Sequence, residues 1–450
     1  MSTTNLTPPQ FKVGDSIDHH DPRNTPIGIN ATHTSIALLN QVPFVACCDS
    51  GEVKVKSYDA ADNMWVDKSP GIIPGTTSNR CSHTCIISHR DKLFLAFLED
   101  YKIRIFRSTG QTNSAFAGFW QDITPIESGL SDDSKILPDN VISLAVSVDR
   151  SINKDNLYLA FTLYKKGQGL IIIGAPPVKP RIRVVQIQNA STSPLIFTEY
   201  YHGLDGHHGN NISISTIDDV SYISFRDFFP NEIKHPTSAG RTNVMKLCLK
   251  PNDPKCSKKW EAYGNYSGLP GIASPDNNIF SQGPTYYNHV ASVSEDHVYV
   301  AARSGLGHGF GSGEIFGRYS AMNGLTPINP DWGATAPGPV SISEIKTLTN
   351  PDDSTPTVGN FVTSAFGSGN DIYITYSTDY SANLIVFKFS DGEFKGRINC
   401  EPAGVNGSGG HNSYISMIVD IDAKSKIALS IHIAFVDYSG YVNVYKTELP

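Results

Sequence analysis

Short apolar segments with a recurring outline divide this sequence into similar units. Each segment opens on an aromatic residue or a histidine, continues through small and apolar residues, and in most copies meets a charged residue. Seven copies occur, at Phe44–Asp49, Phe94–Asp100, Tyr158–Thr162, Tyr222–Asp227, Tyr299–Arg303, Tyr373–Asp379 and His432–Asp437. Runs of this length and composition predict seven buried β-strands, one in each unit.

Further strands are predicted on both sides of each segment. A histidine or asparagine stands eleven residues before four of the segments, at His33, His83, Asn211 and Asn288. The run that follows it is apolar and rich in Ser and Thr, which predicts a strand that precedes the segment. A third strand follows the segment, as in Val53–Tyr58. A fourth carries an aromatic residue and twice has the pattern Trp-x-Asp-x-Ser/Thr-Pro, at Trp65–Pro70 and Trp120–Pro125.

Repeated units of four strands predict an all-β fold, a seven-bladed β-propeller of four-stranded antiparallel blades. We expect one propeller domain over residues 1–450, with blades at about 31–72, 80–127, 138–202, 207–266, 285–340, 356–402 and 409–449. Residues 1–30 form a leader. Because the last unit supplies only three strands, we expect the segment Phe11–Ile17 to pair beside Tyr441–Tyr445 and to close the last blade.

Composition limits the partners of the chain. The net charge is −7, and Lys and Arg are scattered, so we expect no nucleic-acid partner. No apolar run reaches the ~18 residues that would predict a membrane span. The N-terminus lacks the charged and apolar regions of a signal peptide, which favours a cytoplasmic or non-classically secreted protein. The oligomeric state is not indicated.

The seven cysteines do not form an evident disulfide framework. Cys248 and Cys256 flank a turn and could form a disulfide in an oxidising compartment. Four others lie in predicted strands and could alternatively form a metal cluster: Cys47, Cys48, Cys81 and Cys85. Buried positions are common for free cysteine, so we expect these four to be core residues, and we expect no metal and no cofactor.

Polar residues concentrate where first strands are predicted to begin and second strands to end. In a propeller blade these two positions lie at the same end of the sheet. The first-strand group is His33, His83, Asn140, Asn211, Asn288, His289, Asn360, His411 and Asn412. The second-strand group is Asp49, Asp100, Arg226, Asp227, Arg303, Asp379 and Asp437. Such a mixture suits a polyhydroxylated ligand. The alternative is a purely structural role, because Asn and Asp also satisfy turn backbones.

Blades 3 to 5 carry the long inserts, so we expect the deepest polar pocket against blades 4 and 5. The candidate ligand-binding residues are Arg226, Asp227, Tyr287, Asn288, His289, Arg303, His33, His83 and His411. No nucleophile or acid–base set can be named, so the catalytic residues of any enzyme remain unknown. The partner that we expect is a glycan or another small polar ligand.

Two motifs carry a resemblance to known propellers. The segment Ser57–Trp65 resembles the Asp box, Ser/Thr-x-Asp-x-Gly-x-Thr-Trp, of sialidase-like propellers, without its Gly and Thr. The Trp-x-Asp-x-Ser/Thr-Pro endings resemble repeats of bacterial and fungal propeller lectins. These resemblances imply a sialidase-like or lectin-like propeller. Sialidase activity itself is not expected: Arg226 and Arg303 are suitably placed, but neither a third arginine nor a Tyr-Glu pair can be assigned to this end of the sheets.

The function that we predict is carbohydrate binding, as in a lectin, at the end where first strands begin. The alternative is a glycan-active or other hydrolytic or lyase enzyme with one pocket at the central funnel. A lectin should have near-equal repeats, whereas an enzyme should break the symmetry around one pocket.

Overall fold

A computed structural model of the chain describes residues 10–11, 31–62, 64–70, 81–109, 118–125, 135–151, 153–163, 181–201, 204, 209–227, 242–251, 253–254, 256–262, 285–292, 294, 297–304, 315–321, 359–378, 384–391, 393–400, 413–422, 424–436 and 442–449. These residues form 27 β-strands and include no α-helix. Accordingly, none of the described segments is a helix with the length and apolar character required to cross a bilayer.

The strands belong to two compact units. The first unit spans residues 1–126, 359–390 and 394–450, and the second spans 127–358 and 391–393. The strands of the first unit are β1 (Gln10–Phe11), β2 (Ala31–Leu39), β3 (Val42–Asp49), β4 (Glu52–Asp59), β5 (Met64–Asp67), β6 (Cys81–His89), β7 (Lys92–Glu99), β8 (Lys102–Ser108), β9 (Trp120–Asp122), β21 (Gly359–Phe366), β22 (Asp371–Thr378), β23 (Leu384–Ser390), β24 (Glu393–Cys400), β25 (Ser413–Ile421), β26 (Ala428–Val436) and β27 (Val442–Glu448). Those of the second unit are β10 (Val141–Val148), β11 (Asn156–Leu163), β12 (Arg181–Gln188), β13 (Ile196–Tyr200), β14 (Gly209–Ile217), β15 (Val220–Asp227), β16 (Thr242–Cys248), β17 (Trp260–Ala262), β18 (Thr285–Ser292), β19 (His297–Ser304) and β20 (Ile315–Ala321).

Strands that are consecutive in sequence pair side by side in antiparallel sheets. We number the sheets along the chain: sheet 1 (β2–β5), sheet 2 (β6–β9), sheet 3 (β10–β13), sheet 4 (β14–β17), sheet 5 (β18–β20), sheet 6 (β21–β24) and sheet 7 (β25–β27 with β1). This topology confirms the predicted all-β propeller architecture of four-stranded antiparallel blades.

The predicted number of blades requires a correction. Six sheets are four-stranded, whereas sheet 5 has three strands among the described residues, so the structure shows six blades of the predicted kind and not seven. The difference arises because residues 322–358, which follow β20, lie outside the described residues. The single-domain organisation over residues 1–450 stays a prediction.

The N-terminal strand occupies the predicted place in the last sheet. Gln10 pairs with Thr447 and Phe11 with Lys446, so β1 is the fourth strand of sheet 7, beside β27. The rest of the predicted closing segment, residues 12–17, lies outside the described residues.

The second strand of a sheet is buried along most of its length. In β3, β7 and β11 six consecutive residues are buried, without the alternation of a strand that has one face in water. Neighbouring sheets cover both faces, which explains why these segments read as continuous apolar runs. In the first unit, for example, Val45 and Trp65 of sheet 1 pack against Ala434 and Val444 of sheet 7.

The Trp-x-Asp-x-Ser/Thr-Pro pattern forms the ending of a fourth strand. In sheet 1, Asp67 Oδ1 accepts hydrogen bonds from the amide and the hydroxyl of Ser69, at 2.8 and 2.6 Å. Ser69 Oγ in turn accepts the amide of Val55, at 3.0 Å. The motif is therefore a side-chain turn that continues the pairing of the strand past its last residue.

Sheet 2 repeats this turn. Asp122 Oδ1 accepts the amide of Thr124, and Thr124 Oγ1 accepts the amide of Ile105, both at 2.9 Å. Because both copies use the Asp and the hydroxyl in the same way, the motif has a structural role.

Candidate functional site

The antiparallel pairing of first and second strands fixes where polar residues gather. Ala31 at the start of β2 pairs with Asp49 at the end of β3, and Cys81 likewise pairs with Glu99. In the second unit, Gly209 pairs with Asp227. We call this end of each sheet, where the first strand begins and the second ends, the upper end. The opposite end is the lower end.

All seven first strands are irregular close to the upper end. Each shows a shift in its register with the second strand, for instance between Thr32 and Ser35 in β2. The irregular segments contain residues with left-handed φ: 53° at His33, 54° at His83, 50° at Asn211 and 48° at Tyr414. Such β-bulges redirect one side chain out of the regular pleat. The predicted positions His33, His83 and Asn211 thus have a role in the fold, which agrees with the structural alternative.

Three rings form a row at the upper ends of three neighbouring sheets of the first unit. The His83 and His33 ring centroids lie 4.4 Å apart, with the ring planes at 34°. The centroids of His33 and Tyr414 lie 4.6 Å apart, with the planes at 40°. All three side chains are partly exposed. The structure therefore brings together two of the predicted site residues and adds a tyrosine to them.

Hydroxyl groups fix the backbone beneath this row. The Thr84 hydroxyl donates to the carbonyl of His33, and the Thr34 hydroxyl donates to the carbonyl of Tyr414. Each bulge is thereby attached to the neighbouring sheet, so the backbone segments that carry the three rings are held side by side.

Both imidazoles are uncharged in this environment. Burial, with a smaller repulsion from His83, lowers the pKa of His33 to about 3. Burial lowers the pKa of His83 to about 4. The Nδ1 atoms of both rings are buried and have no hydrogen-bond partner among the described residues. At neutral pH the row is therefore an uncharged, partly exposed group of aromatic rings.

The other predicted site residues lie in the second unit or outside the described residues. The structure gives only the strand positions of Arg226, Asp227, Tyr287, Asn288 and Arg303. Arg226 and Asp227 end β15, Tyr287 and Asn288 lie in the irregular segment of β18, and Arg303 pairs with Tyr286. Their ligand-binding roles stay predictions.

Of the two remaining predicted histidines, the structure describes His289 but not His411. Within the second unit, His289 pairs with Ala301, and burial lowers its pKa to about 4. His411 lies outside the described residues.

Sequence reasoning misses Tyr414, which occupies the bulge of β25. The spacing of eleven residues fails in sheet 7 because β25 and β26 are joined by a longer turn. A serine two residues later is the signal that could have found it: Ser35 follows His33, Ser213 follows Asn211, and Ser416 follows Tyr414 at the same register position.

The strand cysteines only partly match the expected core positions, because Cys81 and Cys85 are partly exposed. Cys248 and Cys256 form a disulfide, the pairing that the sequence left open. Cys47 and Cys48 are buried, and their thiol pKa values are raised, for Cys47 mainly by burial and for Cys48 mainly by a hydrogen bond with Cys81. Among the described residues, the only group with metal-ligand spacing is Cys248, Asp253 and Cys256, and its two sulfurs are bonded to each other.

Comparisons with known proteins give structural relatives only. No protein-family model and no curated protein matches the chain. The polysaccharide lyase Uly1 is 11% identical, with a TM-score of 0.51 over 92% of this chain and 90% of the lyase.

Two further solved structures are less similar. The N11 neuraminidase-like protein of A/flat-faced bat/Peru/033/2010 is 8% identical, with a TM-score of 0.38 over 100% of this chain and 98% of that protein. A family 43 arabinoxylan arabinofuranohydrolase from Bacillus subtilis is 13% identical, with a TM-score of 0.35 over 97% and 95% of the two chains. At this level of similarity Uly1 is informative about the fold alone, and nothing is inferred from the other two structures. The comparison with Uly1 and the sheet topology together show that this chain has a β-propeller fold.

Proposed function

We propose that this chain is a carbohydrate-binding β-propeller and that the row of His83, His33 and Tyr414 is part of its ligand site. The observation that carries this proposal is the contact of three partly exposed rings on three neighbouring sheets, at 4.4 and 4.6 Å. Aromatic faces cover the C–H surface of a sugar ring, while the Nε2 atom of a neutral imidazole donates to or accepts from a hydroxyl, according to the tautomer.

The fold does not require histidine at these bulges. Asn140 and Asn211 have left-handed φ near the upper ends of sheets 3 and 4, so asparagine meets the backbone requirement. A buried imidazole nitrogen without a partner also lowers stability. The presence of histidine at both His33 and His83 therefore favours a function in ligand contact over a function in folding.

The electrostatics favour binding over acid–base chemistry. A general base works best when its pKa lies near the working pH. Burial holds the pKa of His33 near 3 and that of His83 near 4, so both are weak bases at neutral pH. Neutral rings suit the recognition of an uncharged hydroxylated ligand.

The alternative function is a glycan-active enzyme. The contact between the Tyr414 phenol ring and the His33 imidazole favours it, because these two groups can serve as acid and base if a bound substrate shifts their pKa values. The polysaccharide lyase Uly1 has a similar fold, and this similarity of fold is the only support that it gives to the alternative.

The test is the double variant His33→Asn/His83→Asn, which keeps a residue type that the chain itself uses at left-handed φ. Wild type and variant are applied to a glycan array, and the same glycans are assayed for cleavage. We expect the variant to lose at least about tenfold in affinity while its Tm stays within a few degrees, since one contact of about 1.4 kcal/mol accounts for tenfold.

The matched control is His89→Asn, at the lower end of sheet 2, which should bind as the wild type does. Retained glycan affinity in the double variant would show that the row is not the site. Cleavage of a glycan by the wild type, lost in the double variant, would establish the enzyme and not the lectin.

A further inference from the structure

A cavity lies at the lower end of sheet 1, which is the opposite end of that sheet from the ring row. Its volume is about 530 Å³. The residues that line it include Asn40, Val42, Phe44, Ser57, Asp59 and Lys68. We propose that this cavity is a separate binding site for a single neutral sugar ring.

A comparison of sheets 1 and 2 explains why the cavity exists. The strand registers match position by position, since Phe44 pairs with Ser57 as Phe94 pairs with Arg107. Ser57 pairs with Val66 as Arg107 pairs with Gln121. Sheet 1 therefore has a serine and a valine where sheet 2 has an arginine and a glutamine.

In sheet 2 these longer side chains bond to one another. Arg107 is only 7% exposed, and its Nη2 donates to Gln121 Oε1 at 2.9 Å. Lys92, the counterpart of Val42, donates through Nζ to the carbonyl of Thr109 at 3.3 Å. The equivalent place is thus occupied by the protein in sheet 2 and open in sheet 1.

The walls of the cavity are fixed before any ligand binds. Lys68 Nζ lies 5.7 Å from the centroid of the Phe119 ring. The main-chain carbonyl of Lys68 accepts a hydrogen bond from the indole N–H of Trp120 at 2.6 Å. Asp59 Oδ1 accepts the amide of Ala61 at 2.9 Å, which orients the carboxylate. Preformed sites of mixed apolar and polar lining are typical of small-molecule binding.

The charges and surfaces of the lining select the ligand class. One carboxylate, Asp59, and one ammonium, Lys68, balance each other, so an anion or a cation would be attracted by one and repelled by the other. Phe44 and Val42 offer apolar surface for one face of a ring, and Asn40 offers an amide to hydroxyls. A neutral pyranose combines these properties in one molecule.

The experiment measures saturation-transfer NMR signals and dissociation constants for methyl glycosides of glucose, galactose, mannose, N-acetylglucosamine and fucose, with glucuronate and glucosamine as charged probes. The variant Ser57→Arg/Val66→Gln introduces the side-chain pair that fills the equivalent place in sheet 2. We expect at least one neutral glycoside to bind the wild type and to weaken at least tenfold in this variant.

A second pocket variant and two controls make the result decisive. Val42→Lys, at a residue that is 37% exposed, should weaken the same glycoside and decides the question if the double variant does not fold. Ile427→Arg, 58% exposed and outside the cavity, adds the same charge and should bind as the wild type. His33→Asn/His83→Asn should also keep this signal, which separates the cavity from the upper-end site.

Unchanged affinity in the folded pocket variants would overturn the proposal. The absence of a signal from every neutral glycoside would overturn it as well, and so would tighter binding of a charged probe. Loss of the signal in His33→Asn/His83→Asn alone would place the sugar at the upper end.

Discussion

The residues at the bulges of the first strands meet two requirements at once. Left-handed φ favours asparagine or glycine, and Asn211 in the bulge of sheet 4 satisfies it simply. His33 and His83 adopt the same conformation but bring rings that are neutral because they are largely, though not fully, buried. This choice has a consequence for the dependence of stability on pH.

We expect acid to destabilise the protein through these two histidines. Their folded pKa values, about 3 and about 4, lie below the ordinary value of 6.5. Below pH 6.5 these two histidines therefore bind protons in the unfolded chain but not in the folded chain. The stabilising contribution of the neutral rings is complete above pH 6.5 and is lost as the pH falls towards 4 and 3. Thermal unfolding followed by circular dichroism over this range should show a falling Tm.

The variant His33→Asn/His83→Asn isolates this effect. It removes both titrating rings, so its Tm should fall less steeply below pH 6.5 than that of the wild type. Parallel curves for the two proteins would show that other groups control the acid sensitivity.

Gly367 is a position where a single methyl group should be harmful. A Cβ built there would lie 2.7 Å from Tyr373 Cε2 and 3.0 Å from the Cβ of Asp371, and Tyr373 is only 1% exposed. Gly367→Ala should destabilise the protein by about 1–3 kcal/mol through overpacking. Gly396→Ala is the matched control, because nothing lies within 4 Å of a Cβ at that site. Equal Tm values for both variants would contradict this reading of the packing.

At the scale of the strands, tryptophans attach neighbouring sheets to each other. Trp120 donates its indole N–H to the carbonyl of Lys68 in sheet 1, at 2.6 Å. Trp260 makes the equivalent bond to the carbonyl of Tyr200 in sheet 3, at 3.2 Å. In both cases a fourth strand is bonded to the residues near the fourth strand of the preceding sheet.

Replacing either indole by phenylalanine tests these bonds. Trp120→Phe and Trp260→Phe each remove the donor and should lower the free energy of unfolding by ~1 kcal/mol. Trp260→Ala should cost ~3–5 kcal/mol, because Trp260 is only 3% exposed. Denaturant unfolding measures both. Unchanged stability together with lost glycan binding would instead identify the tryptophans as ligand platforms.

The sequence predicts the strands well where burial is strong and less well where the hydrogen bonding is irregular. The segment Phe44–Asp49 lies within β3, because a strand covered on both faces must be continuously apolar. Trp260 does not match the Trp-x-Asp motif, because Glu-Ala follows it. Its indole hydrogen bond does not require the Asp of that motif. The bulges leave no break in the hydrophobic pattern, so only a structure reveals that His33 and His83 come into contact.

The sequence predicts the location of the candidate site at one end of the sheets, but it does not predict which residues come into contact there. The shared end of first and second strands follows from antiparallel topology, which the sequence contains. Tyr414 was not found because its neighbours in space come from strands nearly 400 positions away in the chain, as in its bond with Thr34 at a separation of 380. The lower cavity depends on side-chain length at matched positions, which becomes visible only once the registers are known.

At the scale of the whole molecule, the N-terminus completes the last sheet. β1 covers the free edge of β27 through the pairs Gln10 with Thr447 and Phe11 with Lys446. Deletion of residues 1–18 should expose that edge, lower the Tm and promote association of chains. Thermal unfolding and size-exclusion chromatography of the truncated protein measure both effects. A monomer with the wild-type Tm would show that the strand is dispensable.

Serine hydroxyls connect the first strands of neighbouring sheets in a repeated way. Ile36 donates its amide to Ser416 Oγ at 3.2 Å, Ile86 to Ser35 Oγ at 2.9 Å, and Val290 to Ser213 Oγ at 3.1 Å. A junction of this kind needs one hydroxyl on one repeat and a main-chain amide, which every repeat has, on the next. The junction therefore constrains only one side chain on one repeat and none on the next, so the side chain that follows the serine position can differ between repeats while the junction is kept.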